Sequence, residues 1–333
     1  ICLSAYGQVC PSRRIRFTGG DGMKLRALIT PLALLLCLIL LLAFPDTGAQ
    51  AARGALSLCA QTVIPSLFPF FVLSSLLISC GASGLLSSLL APLMRPLFGL
   101  SGAGAAALAL GLCGGYPVGA RTCADLVSSG EASREEGERL LLFCNNAGPG
   151  FLLGICGGAV FSSPRAGAAL YLIHVSSALF TGMLLTRCLP PLRARTAPVE
   201  KRQARPPFST ALPAAVQGAL AGILNVCAFV VFFTVFTRLL LHVLPPSLRA
   251  PLPLSLILGF FELTSGVTAL PNDRAGFLAC AALLAWGGAS VHCQALSALG
   301  GSPLSGKYYL RGKAVQALLS LLLSLPALPF LFP

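Results

Sequence analysis

Apolar runs alternate with short polar or proline-rich stretches along almost the whole chain. Nine of them (27–44, 55–80, 101–120, 139–161, 166–187, 212–243, 253–270, 276–299 and 314–331) reach or approach the roughly 20 residues with which a helix crosses a bilayer. No soluble domain of any size fits between them, so the pattern predicts an all-α integral membrane protein. Two runs are unlike ordinary spans. Run 101–120 is rich in Gly and Ala and stops at Gly114, Gly115, Tyr116 and Pro117 before turning polar. Run 253–270 carries Glu262, Thr264 and Ser265, an acid and two hydroxyls that lipid would not tolerate.

The same order of features occurs twice. "IPSLFPFFVLSSLL" (64–77) matches "AFVVFFTVFTRLL" (228–240) in character, and "APLMRPLFGLSG" (91–102) matches "PPSLRAPLPLS" (245–255). The Gly-Tyr-Pro break matches "ELTSGV" (262–267), and "LLLFCNNAGPGFLLG" (140–154) matches "LLAWGGASVHCQALS" (283–297). An internal duplication accounts for that shared order. The division expected is an N-terminal membrane helix at 23–50, one repeat at 51–190, a basic linker at 191–210 and a second repeat at 211–333. With the N-terminus cytoplasmic and both unusual runs folded as re-entrant hairpins, fifteen basic residues, Arg121 and Lys313 among them, fall inside. Only Arg53, Arg165, Arg249 and Arg274 fall outside, and Arg238, near a helix end, is left unassigned. Cytoplasmic loops carry the excess of Lys and Arg, so this arrangement is preferred: about seven crossing helices and two re-entrant hairpins. Each repeat then holds an odd number of crossings, so the second is inverted relative to the first. Inverted repeats whose broken segments meet near the midplane are an architecture of secondary transporters.

Composition fits this picture. Charged residues are 10% and the mean hydropathy is +0.84, whereas soluble domains hold roughly 25% charged residues. The net charge of +13 would point to nucleic acid in a soluble protein, but here it lies mostly in loops and sets topology. The thirteen cysteines scatter through apolar helices without a CxxC pair, giving neither a disulfide framework nor a metal site. Residues 1–22 read differently from the rest. Gly19-Gly20-Asp21-Gly22 before Met23 is encodable by a purine-rich ribosome-binding sequence, so 1–22 is expected to be leader or disordered N-terminus.

Irregular backbone at membrane depth is tolerated where it is buried in protein or lines a wet cavity. Gly115 and Gly119 permit a turn and close approach, Pro117 ends the helix, Tyr116 offers a ring for stacking and Arg121 a charge for an anion. Asn145, Asn146 and Gly148 form a second break with amide donors and acceptors, and Ser290 and Gln294 lie in the matching helix. These are the expected substrate-binding residues. Glu262 is an isolated acid, expected to be protonated, paired or coordinating, with Thr264 and Ser265 beside it to hold Na⁺ or receive a proton; this is the expected coupling or gating site. No cofactor is expected beyond such an ion. "GSPLSGK" (301–307) fits GxxxxGK, but Tyr308 stands where a Ser or Thr would hold Mg²⁺ and no strand precedes it. HExxH and GxSxG are absent, and no nucleophile–base or metal-ligand set emerges, so no enzyme is expected.

"LFPFFVLSSLL", "GGYPVGAR", "ERLLLFCNNAGPGFLLG", "ELTSGV" and "WGGASVHCQALS" together resemble the YlbJ-type sporulation integral membrane proteins of the nucleoside-recognition (Gate) domain group, over residues 54–313. The resemblance implies a role in endospore formation and transport of dipicolinic acid across the outer forespore membrane, with the Gly-Tyr-Pro, Asn-Asn and 262–266 segments along the path. The implied partners are a small anion, the lipid bilayer, and a second copy or other sporulation membrane proteins, with no nucleic acid. Two other readings stay open: nucleoside or nucleobase transport, and a non-transporting scaffold for spore-envelope assembly.

Overall fold

The computed structural model of the chain describes residues 21–190, 192, 206–245 and 251–332. Most of the expected leader and of the basic linker, and Arg249, lie outside the described residues. Every regular element among those residues is helical. In hydrocarbon each backbone N–H and C=O must find its partner within the protein, a condition a helix meets residue by residue. The chain divides into two units, one ending at Pro45 and one running from Asp46 onward. The first holds α1 (Asp21–Ala43), which presents Leu32, Leu34 and Leu38 outward.

The second unit begins with α2 (Pro45–Leu58), a π turn, α3 (Ile64–Ser79) and α4 (Ala82–Phe98). After a 3₁₀ turn come α5 (Ala105–Gly114), α6 (Val118–Ser128) and α7 (Arg134–Leu140). A non-helical stretch leads to a π-helix (Gly150–Val160) and then α8 (Pro164–Arg187). The remainder is α9 (Phe208–Val243), α10 (Pro251–Phe261), α11 (Leu263–Thr268), α12 (Arg274–Trp286), α13 (Gly288–Ala298), α14 (Tyr309–Ser324) and α15 (Leu328–Leu331). Local chemistry sets several starts. Ser133 and Glu136 form a reciprocal capping box on α7, Ser163 and Pro164 open α8, and the Asp273 carboxylate accepts from the Gly276 N–H at the head of α12.

Among the described residues four helical stretches are long and apolar enough to cross a membrane: Pro164–Arg187, Phe208–Val243, Arg274–Ala298 and Tyr309–Leu331. The number rises to six when two interrupted helix pairs each count as one span. The apolar runs led to about seven crossings. The run at 139–161 is apolar enough for one, but it is built from the end of α7, an irregular segment and an 11-residue π-helix. The polar residues after Pro117 are not a loop: they form α6, which is largely buried. Around an apolar core, the surface is also apolar and several polar side chains are buried. Leu172, Leu184, Leu224, Phe232 and Leu318 face outward, while Asn146, His174, Lys313 and Gln316 are buried. Between helices in lipid, close packing and interhelical hydrogen bonds do the holding. α14 is central to that packing, lying against both α12 and α8, while α3 pairs with α9.

Candidate functional site

Four interruptions of the helices meet inside the second unit. The first is Gly115-Tyr116-Pro117 between α5 and α6, where Gly115 adopts φ +81°. The second is the irregular segment with Asn145, Asn146 and Gly148 between α7 and the π-helix. The third is Glu262, extended at φ −136° between α10 and α11. The fourth is Gly287, at φ +92°, between α12 and α13. They approach closely, in two places backbone to backbone. A Cβ on Gly115 would lie 3.0 Å from the Gly148 nitrogen, one on Gly288 would lie 2.8 Å from the Gly259 oxygen, and one on Gly287 would lie 3.6 Å from the Tyr116 ring.

Where they meet is a cavity of about 150 Å³, lined by Gly115, Tyr116, Ala147, Gly148, Glu262, Thr264, Val291 and Gln294, with Leu58, Leu67, Phe70 and Val230 as further walls. An apolar cavity of roughly this volume accommodates a benzene ring. A second, more polar cavity of about 510 Å³ is lined by Thr47, Gln50, Thr234, Arg238, Thr264, Ser265 and Thr268, and shares Leu58 and Thr264 with the first.

Of the residues singled out from the sequence, Gly115, Tyr116, Gly148, Glu262, Thr264 and Gln294 line the inner cavity. Glu262 directs both carboxylate oxygens to the start of its own helix, accepting from the Thr264 N–H at 3.0 Å and the Ser265 N–H at 2.7 Å. Ser265 itself opens on the second cavity. Ser290 lies behind Gln294, whose Nε2 donates to its hydroxyl at 3.1 Å. Pro117 opens α6, and its peptide bond with Tyr116 is cis. Gly119 is pressed against the Cys144 carbonyl so closely that any side chain would collide with it. Arg121 is not brought to the site. Its guanidinium donates to the Gly218 carbonyl at 2.8 Å and lies 5.9 Å from the Phe71 ring, because α6 turns that face toward α3 and α9.

Asn145 and Asn146 stand one layer behind the cavity, in a buried network that the sequence reading missed. Asn145 donates to the Tyr309 hydroxyl at 3.3 Å, and the Gln316 amide donates to Asn146 Oδ1 at 2.9 Å. At its centre Lys313, 1% exposed, donates to the Tyr116 hydroxyl at 3.1 Å, the Asn145 carbonyl at 2.9 Å and Gln316 Oε1 at 2.7 Å. Its ammonium is 5.0 Å from the centre of the Tyr116 ring, and the Tyr116 hydroxyl in turn donates to the Leu284 carbonyl at 2.7 Å. Lys313 is therefore not one of the loop cations that set topology, and the inside count falls to fourteen against four. A signal was present in the sequence. Tyr309, Lys313, Gln316, Ser320 and Ser324 recur at helical spacing, and all five lie on the buried side of α14. Two of the three histidines join the same assembly: His174 Nε2 accepts from the Ala147 N–H at 3.1 Å, and His292 Nδ1 lies 3.3 Å from the Tyr309 hydroxyl.

The GxxxxGK-like loop also has a role that the motif does not describe. The Glu138 carboxylate accepts from the Ser305 N–H at 2.5 Å, the Ser305 hydroxyl at 2.7 Å and the Lys307 N–H at 3.1 Å, so the loop's donors hold a carboxylate of the chain itself. Nearby, burial acts to raise the Glu136 carboxyl, but donors from Ser133 and Ser101 outweigh it and hold the group below the usual carboxylate range. Among the described residues no group of three His, Cys, Asp or Glu side chains is placed to hold a metal ion.

The Gate family, described as nucleoside recognition, matches residues 60–185. The chain is 30% identical over 317 aligned positions to the sporulation integral membrane protein YlbJ of Bacillus subtilis (strain 168), a match covering 82% of this chain and 75% of that protein. No solved structure matches it.

Proposed function

Because the chain belongs to the YlbJ family of sporulation integral membrane proteins, we propose that it is a secondary transporter carrying a small aromatic anion, dipicolinate, across a bacterial membrane during endospore formation. The observation that carries this reading is the half-open cavity that three of the four helix interruptions line, walled by Tyr116 and backed by the buried Lys313 ammonium. A passive bundle gains nothing from burying a cation and four irregular segments together, and each is costly in a membrane interior. A transporter gains a site that two sets of broken helices can open alternately.

In this reading the anion enters the larger cavity, where Arg238 supplies positive charge and hydroxyls line the wall. It passes Leu58 and Thr264, which both cavities share, and stacks its ring against Tyr116 in the inner one. The Lys313 charge behind Tyr116 favours an anion there. Glu262, held by its own helix, gates the passage and repels a second anion. The fourteen-to-four basic asymmetry supports a cytoplasmic N-terminus, and the family supports the outer forespore membrane as the location.

The test is uptake of labelled dipicolinate into proteoliposomes, with unlabelled adenosine as competitor and Glu262→Gln as control. Uptake that ignores adenosine and falls at least tenfold in the variant is expected. A folded protein that takes up nothing would sink the reading in favour of a scaffold. The Gate description of residues 60–185 as nucleoside recognition favours one second reading, nucleoside transport, which direct uptake of labelled adenosine would reveal.

A further inference from the structure

The surroundings of Lys313 differ from those of an ordinary buried lysine. Among the described residues no carboxylate is hydrogen-bonded to its ammonium. The three acceptors are a phenol hydroxyl (Tyr116), a main-chain carbonyl (Asn145) and a side-chain amide (Gln316), at 3.1, 2.9 and 2.7 Å. The charge is thus met by dipoles and never cancelled. The acceptors come from the first interruption, the second interruption and α14. One of them, the Asn145 carbonyl, lies on the irregular segment, where no helix claims it. Gln316 is turned to suit a cation, with its oxygen toward Lys313 and its nitrogen toward Asn146 Oδ1. Neutral oxygens converging from unwound membrane helices are the ligand set with which transporters hold alkali cations, and hard monovalent cations take hydroxyl, carbonyl and amide oxygen.

We propose that this oxygen cage is a monovalent-cation site that the chain fills with its own side chain. The Lys313 ammonium takes the place of a bound Na⁺ or K⁺ and docks the first interruption onto the second without an ion from solution. Removing the side chain then converts the protein into one that binds an alkali or ammonium ion at the same oxygens. The inference rests on the geometry around Lys313 and not on which solute is carried, so its test reads stability and leaves uptake aside.

The full chain is purified into nanodiscs as wild type, Lys313→Ala and Lys313→Met. Thermal unfolding is followed in equal concentrations of sodium, ammonium and tetramethylammonium chloride. Lys313→Ala is expected to melt about 3 °C or more higher in ammonium or sodium than in tetramethylammonium, which is too large for the cage. Wild type is expected to move by less than about 1 °C across the three salts. Lys313→Met, whose side chain fills the space without the charge, should also stay indifferent to the salt. A folded Lys313→Ala with one midpoint in all three salts would overturn the proposal. If the variant folds poorly, its recovery in ammonium but not in tetramethylammonium supports the site, and recovery in neither overturns it. The wild-type arm is read by itself whatever the variants do: wild type melting about 3 °C or more higher in sodium than in tetramethylammonium would refute an occupied cage.

Discussion

Replacing Tyr116 by Phe isolates the role of one oxygen atom. The ring stays against the cavity, but the hydroxyl that donates to the Leu284 carbonyl at 2.7 Å and accepts from Lys313 at 3.1 Å is gone. The carbonyl is left short of a partner, at about 1–3 kcal/mol for a buried group. The ammonium falls from three acceptors to two, and hydrogen bonds to charged groups are worth about 1.5–3 kcal/mol each. Both losses share one oxygen and are not additive, so about 2–4 kcal/mol in total is expected. That corresponds to a melting point lower by several degrees. Uptake should lose turnover more than apparent affinity, since the stacking surface is kept, whereas Tyr116→Ala should raise KM as well. The assay pairs thermal unfolding in nanodiscs with proteoliposome uptake, and adds Lys313→Met alone and combined with Tyr116→Phe. The two substitutions should couple by more than about 0.5 kcal/mol. A Tyr116→Phe protein as stable as wild type, with additive effects in the pair, would refute the claim that this hydroxyl joins the cavity wall to Lys313.

Three further outcomes are expected. Gly119→Ala drives a methyl group into the Cys144 carbonyl and should cost about 3 kcal/mol or more, read as lost recovery of monodisperse protein; Gly154→Ala, which meets open space, should be recovered normally. Arg238→Gln should raise KM for the anion by about three- to tenfold at low ionic strength, with the difference shrinking as salt screens the charge; a KM unchanged at every salt concentration would remove Arg238 from the path. Glu136 is held below its unfolded-state range, so its stabilisation is complete above the unfolded carboxylate pKa of roughly 4.3 and is lost as pH falls through the lower folded value. Wild type should therefore lose more stability than Glu136→Gln when acidified from neutral pH to below pH 4, as measured by thermal unfolding.

How far these features could be read in the sequence depended on what surrounds each one. Gly115-Tyr116-Pro117 and Glu262 stood out because Gly, Pro and an acid inside an apolar run conflict with a lipid-facing helix, and Gly115, Tyr116 and Glu262 line the cavity. Lys313 was hidden by its neighbours. With Lys307 and Arg311 just before it, it looks like the third member of a basic loop, and only the helical spacing of Tyr309, Lys313 and Gln316 separates it from exposed Arg311. Arg121 was hard to place for the opposite reason. A cation next to a glycine-rich break looks like a ligand, but one residue of α6 turns through about 100°, and that rotation decides whether a side chain faces the cavity or α9. Sequence adjacency carries no such rotation until both ends of the helix are placed.

Glycines within the helices around these interruptions also limit how the molecule can move. Gly119, Gly312 and Gly266 are pressed against main chain, namely the Cys144 carbonyl, the Leu142 carbonyl and Gly259. Contacts of this kind have no rotamers to exchange, so they cannot adjust gradually as side-chain packing does. Each seam either stays shut while its two segments travel together or parts along its whole length. For the transport proposed, opening of the cavity would then be a displacement of intact blocks, with the seams between blocks acting as latches. Motion should be confined to the few places where a side chain, and not bare backbone, fills the gap.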